Sequence, residues 1–239
     1  MRKVAIRALQ MWRIVAVISV KIAPVMAIAF FDLDGTITQR DTLLPLVLLL
    51  LVRKPLRLLR LFGVLPSTVR FVFDRDRGAL KQALLRSALG GMKRAELAHI
   101  APQFVRHTIA HRCFKDALVA IRRHRDAGHY LVLMSASVDF YVPEFGQQLG
   151  FDLTWSTGVR WNGDRLDGSL TTPNLRGEEK AEKVRALLAQ RNDSETFAYG
   201  NSDSDLPHLQ LVRHGLLVNG SSGARRAAIS LGVATAEWS

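Results

Sequence analysis

Short apolar runs ending in polar, glycine-containing turns recur along the chain, separated by stretches with apolar residues at helical spacing. Ala27 to Phe31 (AIAFF) runs into Asp32-Leu33-Asp34-Gly35-Thr36, and Tyr130 to Met134 (YLVLM) runs into Ser135-Ala136-Ser137. Thr196 to Tyr199 (TFAY) runs into Gly200-Asn201-Ser202-Asp203-Ser204-Asp205, and Gly215 to Val218 (GLLV) precedes Asn219-Gly220. Continuous apolar runs of this length predict strands buried on both faces, as in a parallel sheet. Phe114 to Asp126, stopping at Gly128, and Lys180 to Gln190 predict helices between them. From Ser156 to Thr172 the pattern alternates around Asn162-Gly163, which predicts a hairpin. In an open α/β sheet the ligand crevice lies beyond the carboxyl ends of the strands, so polar clusters after separate strands can meet at one site.

Residues 42–112 lack this grammar. Leu, Val, Ala and Arg recur there at helical spacing, with Pro45, Pro55, Pro66 and Pro102 as helix starts or breaks. The expectation is a helical insert between the first two strands. Within it, Leu43 to Val52 is nearly all aliphatic and is followed by Arg53-Lys54. It falls short of the ~20 residues that span a bilayer, leaving an interfacial helix and a buried helix as alternatives.

Residues 1–25 contain no acid, five basic residues and the apolar run Ile14 to Val20. Three readings stand side by side: a signal peptide with Val25-Met26-Ala27 as its cleavage context, a basic amphipathic helix on a membrane surface, and an upstream extension before a core that opens at Met26. Lys21 and Pro24 interrupt any longer apolar span.

The chain has 239 residues, 48% hydrophobic and 23% charged, which excludes a disordered chain. Its single cysteine, Cys113, excludes an internal disulfide framework and multi-cysteine metal sites, and points to a reducing, cytoplasmic setting. The net charge of +12 is unevenly spread: residues 42–125 hold 17 basic and 4 acidic side chains, whereas residues 126–239 hold 10 and 14. Arg53, Arg57, Arg60, Arg70, Arg75, Arg77 and Arg86 could meet an acidic substrate or an anionic lipid surface. Solvated helix faces account for most of them equally well. Nucleic acid is set aside, because no aromatic stacking platform accompanies the charge.

The densest chemistry lies in Asp32-Leu33-Asp34-Gly35-Thr36. Two carboxylates two residues apart point the same way on an extended chain, and Gly35 then lets the backbone turn. Such a pair can divide into a nucleophile, Asp32, and an acid and base, Asp34. Ser135, at the end of the second run, offers a hydroxyl and neighbouring N–H groups for phosphate oxygens, and a helix cap is its structural alternative. Lys180 and Lys183 are the candidate cations. His107 and His111 share a helical face but lack a third ligand in reach, and Trp155, Trp161 and Trp238 read as packing residues.

These four segments, in this order after matching elements, resemble the haloacid dehalogenase superfamily of phosphohydrolases, in particular the branch that contains phosphoserine phosphatase. The resemblance covers Met26 to about Asn219. It implies an α/β fold with a Rossmann-like parallel sheet over residues 26–41 and 113–239, and a helical cap, residues 42–112, inserted between the first and second motifs. It also implies Asp32, Asp34, Ser135 and Lys180 as catalytic residues, with Gly35, Thr36, Ala136 and Ser137 contacting substrate. Magnesium would be held by Asp32, the Asp34 carbonyl, Asn201 and Asp205. The expected activity is magnesium-dependent phosphomonoester hydrolysis through an aspartyl phosphate. Substrates would be a small phosphorylated metabolite or a phospholipid headgroup, with peripheral contact to an anionic membrane as an option. The fourth motif departs from the family form, in which an acid stands where this chain has Asn201. That departure motivates the alternative of a catalytically impaired phosphate-binding protein.

Overall fold

The computed structural model describes residues 27–54, 56, 57, 59, 64 and 76–239. The readings made for residues 1–25, and those for Pro55, Pro66, Arg60, Arg70 and Arg75, lie outside the described residues.

Six strands form one sheet: β1 (Ala27–Asp32), β2 (Tyr130–Val138), β3 (Leu153–Thr157), β6 (Glu195–Gly200), β7 (His214–Val218) and β8 (Ala234–Ala236). Their order is β3-β2-β1-β6-β7-β8, and every neighbouring pair is parallel. The chain therefore builds outward from β1 on one side, returns, and builds outward from β6 on the other. The reversal lies between β1 and β6, which is where such sheets open a crevice at their carboxyl ends. A separate hairpin joins β4 (Val159–Asn162) to β5 (Arg165–Leu170) across the Asn162-Gly163 turn.

Both faces of the sheet are covered, which explains the unbroken apolar runs. Successive side chains of β1 go to opposite faces. Ala29 and Phe31 pack with Leu131 and Leu133, under α4 (Lys115–Asp126) and α5 (Val142–Leu149). Ile28 and Phe30 pack with Val132 and Met134, under α6 (Glu178–Gln190), α7 (Leu206–Leu209) and α8 (Ser222–Ser230).

The described part of the insert contains α1 (Leu43–Val52), α2 (Arg77–Leu84), a π-helical turn (Leu85–Leu89) that continues α2, and α3 (Arg94–Arg112). Leu43, Leu46, Val47, Leu50 and Leu51 of α1 are buried against the first core, while Leu44, Leu48 and Val52 are exposed on the opposite face. Among the described residues, no helix is long and apolar enough to cross a membrane.

The β4–β5 hairpin packs against the insert. The N–H of Gly91 bonds the Leu166 carbonyl at 2.8 Å, the N–H of Leu166 bonds the Met92 carbonyl at 2.9 Å, and Arg94 lies 4.0 Å from the centre of the Trp161 ring. Gly168, at φ +91°, lies against the insert backbone: a Cβ there would fall 2.7 Å from the Arg86 nitrogen.

Two strands go beyond the sequence reading. The β3 segment LTWST merges into the alternating hairpin pattern, and β8 is a three-residue edge strand too short to announce itself.

Candidate active site

Asp32 is the last residue of β1, and the loop after it folds back tightly. The N–H groups of Thr36, Ile37 and Thr38 all reach the Leu33 carbonyl, and Gly35 turns with φ +86°. The turn presses against the loop after β6, so that a Cβ on Gly35 would fall 2.1 Å from the Asn201 side-chain nitrogen. Only glycine permits both the left-handed backbone and this approach.

The loop after β6 is organised by Asp205. Its Oδ2 accepts from the N–H of Asn201 at 3.2 Å, the N–H of Ser202 at 3.0 Å and the Ser202 hydroxyl at 2.7 Å, which is a reciprocal cap on the turn Asp203–Asp205. Its Oδ1 lies 3.0 Å from Lys180 Nζ. Lys180 comes from the first turn of α6 and also donates to Asp32 Oδ1. All three side chains are buried, Lys180 being only 3% exposed.

Charge in this enclosed triad is unbalanced, two carboxylates against one ammonium. Burial pushes the Asp32 carboxyl up to about 7, with Lys180 opposing the shift and Asp205 adding to it. Asp205 lies well below the usual carboxylate range, because Lys180 and the Ser202 hydrogen bonds outweigh its burial. Lys180 is raised by the two carboxylates against its own desolvation. Thr36 supports Asp32 from behind, its hydroxyl 3.0 Å from Oδ2.

Asp34 faces a different set of partners. Its Oδ1 accepts from the Thr42 N–H at 2.8 Å and the Thr42 hydroxyl at 2.7 Å, and its Oδ2 from Ser137 at 2.8 Å and Ser135 at 3.2 Å. Burial, with Asp41 adding, keeps its carboxyl above the ordinary range despite the bonds from Thr42 and Ser137. The Tyr141 hydroxyl lies 2.8 Å from that of Thr42, extending the network into α5.

A cavity of about 440 Å³ opens over these groups, lined from the core by Asp32, Asp34, Ser137, Lys180, Asn201 and Asp205. Ala136 also lines it, whereas Ser135 and Thr36 are fully enclosed and act on the two carboxylates from beneath. Lys183 lies elsewhere, its ammonium 5.5 Å from the centre of the Trp155 ring. Cys113 is buried, and its thiol is pushed up to about 12, which removes it as a thiolate nucleophile at neutral pH.

Several residues of the site carry no local sequence signal. Thr42 and Tyr141 meet across 99 positions, and Lys81 of α2 crosses the cavity to bond the Ala136 carbonyl and the Asn174 side chain. The only hint of Lys81 is the basic excess of its segment.

Hard oxygen donors face the cavity: the carboxylates of Asp32 and Asp205, and the Asn201 amide. Among the described residues, no group of three or more His, Cys, Asp or Glu side chains could hold a metal ion by itself. A cation here would need the Asn201 amide oxygen or a main-chain carbonyl as well. Oxygen donors with one surplus buried negative charge suit a small divalent ion that keeps several waters, so the residues fit magnesium.

The sequence pattern of the haloacid dehalogenase-like hydrolases matches residues 29–210. Protein CicA of Caulobacter vibrioides is 33% identical over 186 residues, covering 76% of this chain and 81% of its own. A probable phosphatase of Mycobacterium tuberculosis is 28% identical over 211 residues, covering 84% and 71%. Among solved structures, a protein of unknown function from Bordetella pertussis Tohama I superposes with a TM-score of 0.67 at 22% identity, covering 88% of this chain and 97% of that one, a likeness of fold.

Proposed function

The chain belongs to the haloacid dehalogenase-like hydrolases, and we propose that it hydrolyses phosphomonoesters, with Asp32 as nucleophile, Asp34 as acid and base, and magnesium as the cofactor. One observation carries this reading: Lys180 sits between the buried carboxylates of Asp32 and Asp205, on the floor of a cavity at the carboxyl ends of β1 and β6, with a second carboxylate, Asp34, alongside.

The division of labour follows from the surroundings. An Asp32 oxygen attacks phosphorus, and the bond to the leaving oxygen breaks as that oxygen takes a proton from Asp34. Asp34 is suited to carry that proton, because burial raises its carboxyl and its hydroxyl neighbours Thr42, Ser135 and Ser137 can rotate from donors to acceptors. In the second half, water attacks the aspartyl phosphate, Asp34 takes up the water's proton, and inorganic phosphate leaves as Asp32 is restored. Lys180 holds Asp32 in place and offsets negative charge during both steps. Ser137 and the main chain around Ala136 are placed to meet phosphate oxygens at the end of β2. The cation, held by Asp32, the Asp34 carbonyl, Asn201 and Asp205, would supply charge neutralisation and favour ionised Asp32.

The substrate class supported by a charged cavity of this size is a small phosphorylated metabolite or a phosphorylated headgroup. The test is hydrolysis of an aryl phosphate by the full chain in magnesium, with Asp32→Asn as control. Activity that disappears in the variant is expected; no turnover across a broad phosphomonoester panel, or a fully active variant, would overturn the reading.

A further inference from the structure

α1 is apolar on two faces, and the core takes only one of them. Leu43, Leu46, Val47, Leu50 and Leu51 are buried, which fixes the helix in place. On the other side Leu44, Leu48 and Val52 recur every four residues, the spacing that stacks side chains along one helix face. All three are exposed, Val52 to 75%, and Leu56 and Leu59, next along the chain, are exposed as well. The interfacial helix and the buried helix expected from the sequence are therefore one element with two faces.

Exposed aliphatic side chains gathered in one strip mark a contact surface, unlike apolar residues scattered singly. Charge says what the strip meets. From Thr42 to Phe73 the sequence has no acidic residue and five basic ones, Arg53, Lys54, Arg57, Arg60 and Arg70. Lys54 is paired with Glu96 at 2.6 Å, and Arg57 donates to the Gly90 carbonyl at 2.9 Å, whereas Arg53 is exposed directly after Val52. At the other end of α1, Asp41 accepts the Leu44 N–H at 3.0 Å, with exposed Arg40 beside it. Side-chain type narrows the partner further. Among the described residues, every large apolar side chain that is exposed is aliphatic, so the strip lacks the aromatic anchors of protein interfaces and the rings that stack on bases. An aliphatic strip with a basic flank is the combination that lies in the headgroup region of an anionic bilayer.

Leu44 also lines the catalytic cavity, together with Leu43 and with Leu80 and Leu84 of the facing insert. The strip thus begins where the cavity opens. We propose that the Leu44, Leu48 and Val52 face of α1, with Arg53, docks on the surface of an anionic lipid bilayer. The cavity then opens beside the headgroups. Because α1 is already folded and packed on the core, docking requires little further ordering.

The test is sedimentation of the full chain with vesicles of phosphatidylcholine alone and of phosphatidylcholine mixed with phosphatidylglycerol, at low and high salt. Binding is expected on the anionic vesicles and should weaken as salt rises. The double variant Leu48→Gln/Val52→Gln should lose at least about tenfold in affinity, the order set by two aliphatic side chains that no longer leave water. Arg53→Gln should lose about fivefold, on anionic vesicles only. Val119→Gln, at an exposed aliphatic position of α4, should bind like the unsubstituted chain. Absence of binding to anionic vesicles at low salt would overturn the inference. So would binding that the double variant retains in full, which would belong to another part of the chain, such as the basic residues between Arg2 and Lys21. Self-association that the double variant abolishes, without vesicle binding, would make the strip an interface between copies of the chain and would also overturn it. If the double variant fails to fold, Arg53→Gln compared with Val119→Gln decides. None of these measurements uses turnover, so they are independent of the phosphomonoesterase reading.

Discussion

Thr42 holds Asp34 by two atoms at once, its main-chain N–H at 2.8 Å and its hydroxyl at 2.7 Å from the same carboxylate oxygen. Because Thr42 immediately precedes α1, the start of the insert is fastened directly to the proposed acid and base. The hydroxyl also meets Tyr141 at 2.8 Å, so one side chain joins the β1 loop to the start of α5. Thr42→Val keeps the shape and the N–H but deletes the hydroxyl. It should cost about 1 kcal/mol of stability. Activity toward an aryl phosphate should fall about tenfold, chiefly in kcat, because the lost bond orients a proton-transfer group rather than binding substrate. A rise in KM at unchanged kcat would show that Thr42 serves binding instead.

Lys180 neutralises part of a buried pair of carboxylates, so its removal should be felt in folding as well as catalysis. Lys180→Met leaves Asp32 and Asp205 facing each other without the ammonium that bonds both. Breaking a buried ion pair by deleting one partner typically costs about 3–5 kcal/mol. Denaturant unfolding of the variant should show a loss of that order, and kcat should fall by about two to three orders of magnitude. A well-folded variant with near-normal turnover would remove Lys180 from the mechanism.

The parts of this site that were legible in the sequence share one property: they sit directly after apolar runs. Asp32 and Asp34 follow β1, Ser135 and Ser137 lie at the end of β2, and Asn201 and Asp205 follow β6, so a parallel sheet with short turns brings them together. Lys180 was one of two candidate cations, singled out by the family resemblance, and the structure places it, rather than Lys183, between Asp32 and Asp205. Thr42, Tyr141, Lys81 and Asn174 were not legible. Their roles arise where the insert folds back over the sheet, and hydrogen bonds such as Lys81 to Asn174 span 93 positions. The strands β3 and β8 escaped for a different reason. One shares its alternation with the adjoining hairpin, and the other has only three residues, too few for any period to show.

Gly35 and Asn201 make a joint prediction about the cation. Gly35→Ala forces a Cβ into the space of the Asn201 amide, 2.1 Å from its nitrogen, at a backbone angle of φ +86°. The strain alone should cost about 1–2 kcal/mol, and the displaced amide should raise the magnesium concentration needed for half-maximal activity. Asn201→Asp has the opposite effect on the metal. It adds a formal charge among oxygen donors without adding bulk, and should lower that concentration about tenfold, since charged ligands bind hard cations more strongly. Magnesium titrations of the three proteins decide the point. Unchanged half-activation in both variants would place the cation away from Asn201.

His124 predicts how stability follows pH. Its ring is buried beneath the sheet, with Nε2 at 2.8 Å from the Tyr199 hydroxyl and Nδ1 at 2.8 Å from Nδ1 of His129, and it packs edge-on against Phe31 and Phe197. Burial, with His129 and Arg123 adding, pulls it down to about 4, and His129 is lowered in the same direction. An unfolded chain protonates these rings near ~6.5, so from there down toward 4 the unfolded state binds more protons than the folded one. The contribution of His124 to stability must then fall as pH falls across that window, by up to about 1.4 kcal/mol per pH unit for each proton taken up, while Asp32, raised to about 7, contributes with the opposite sign. Above pH 7 both states carry neutral rings and the contribution levels off. The difference between the denaturant midpoints of the unsubstituted chain and of His124→Gln, measured from pH 7.5 to pH 4.5, isolates this decline. His124→Gln should be less stable at pH 7.5, because it loses ring packing, yet should show a shallower slope below pH 6.5. A slope identical to that of the unsubstituted chain would mean that His124 is protonated in the folded protein as readily as in the unfolded one.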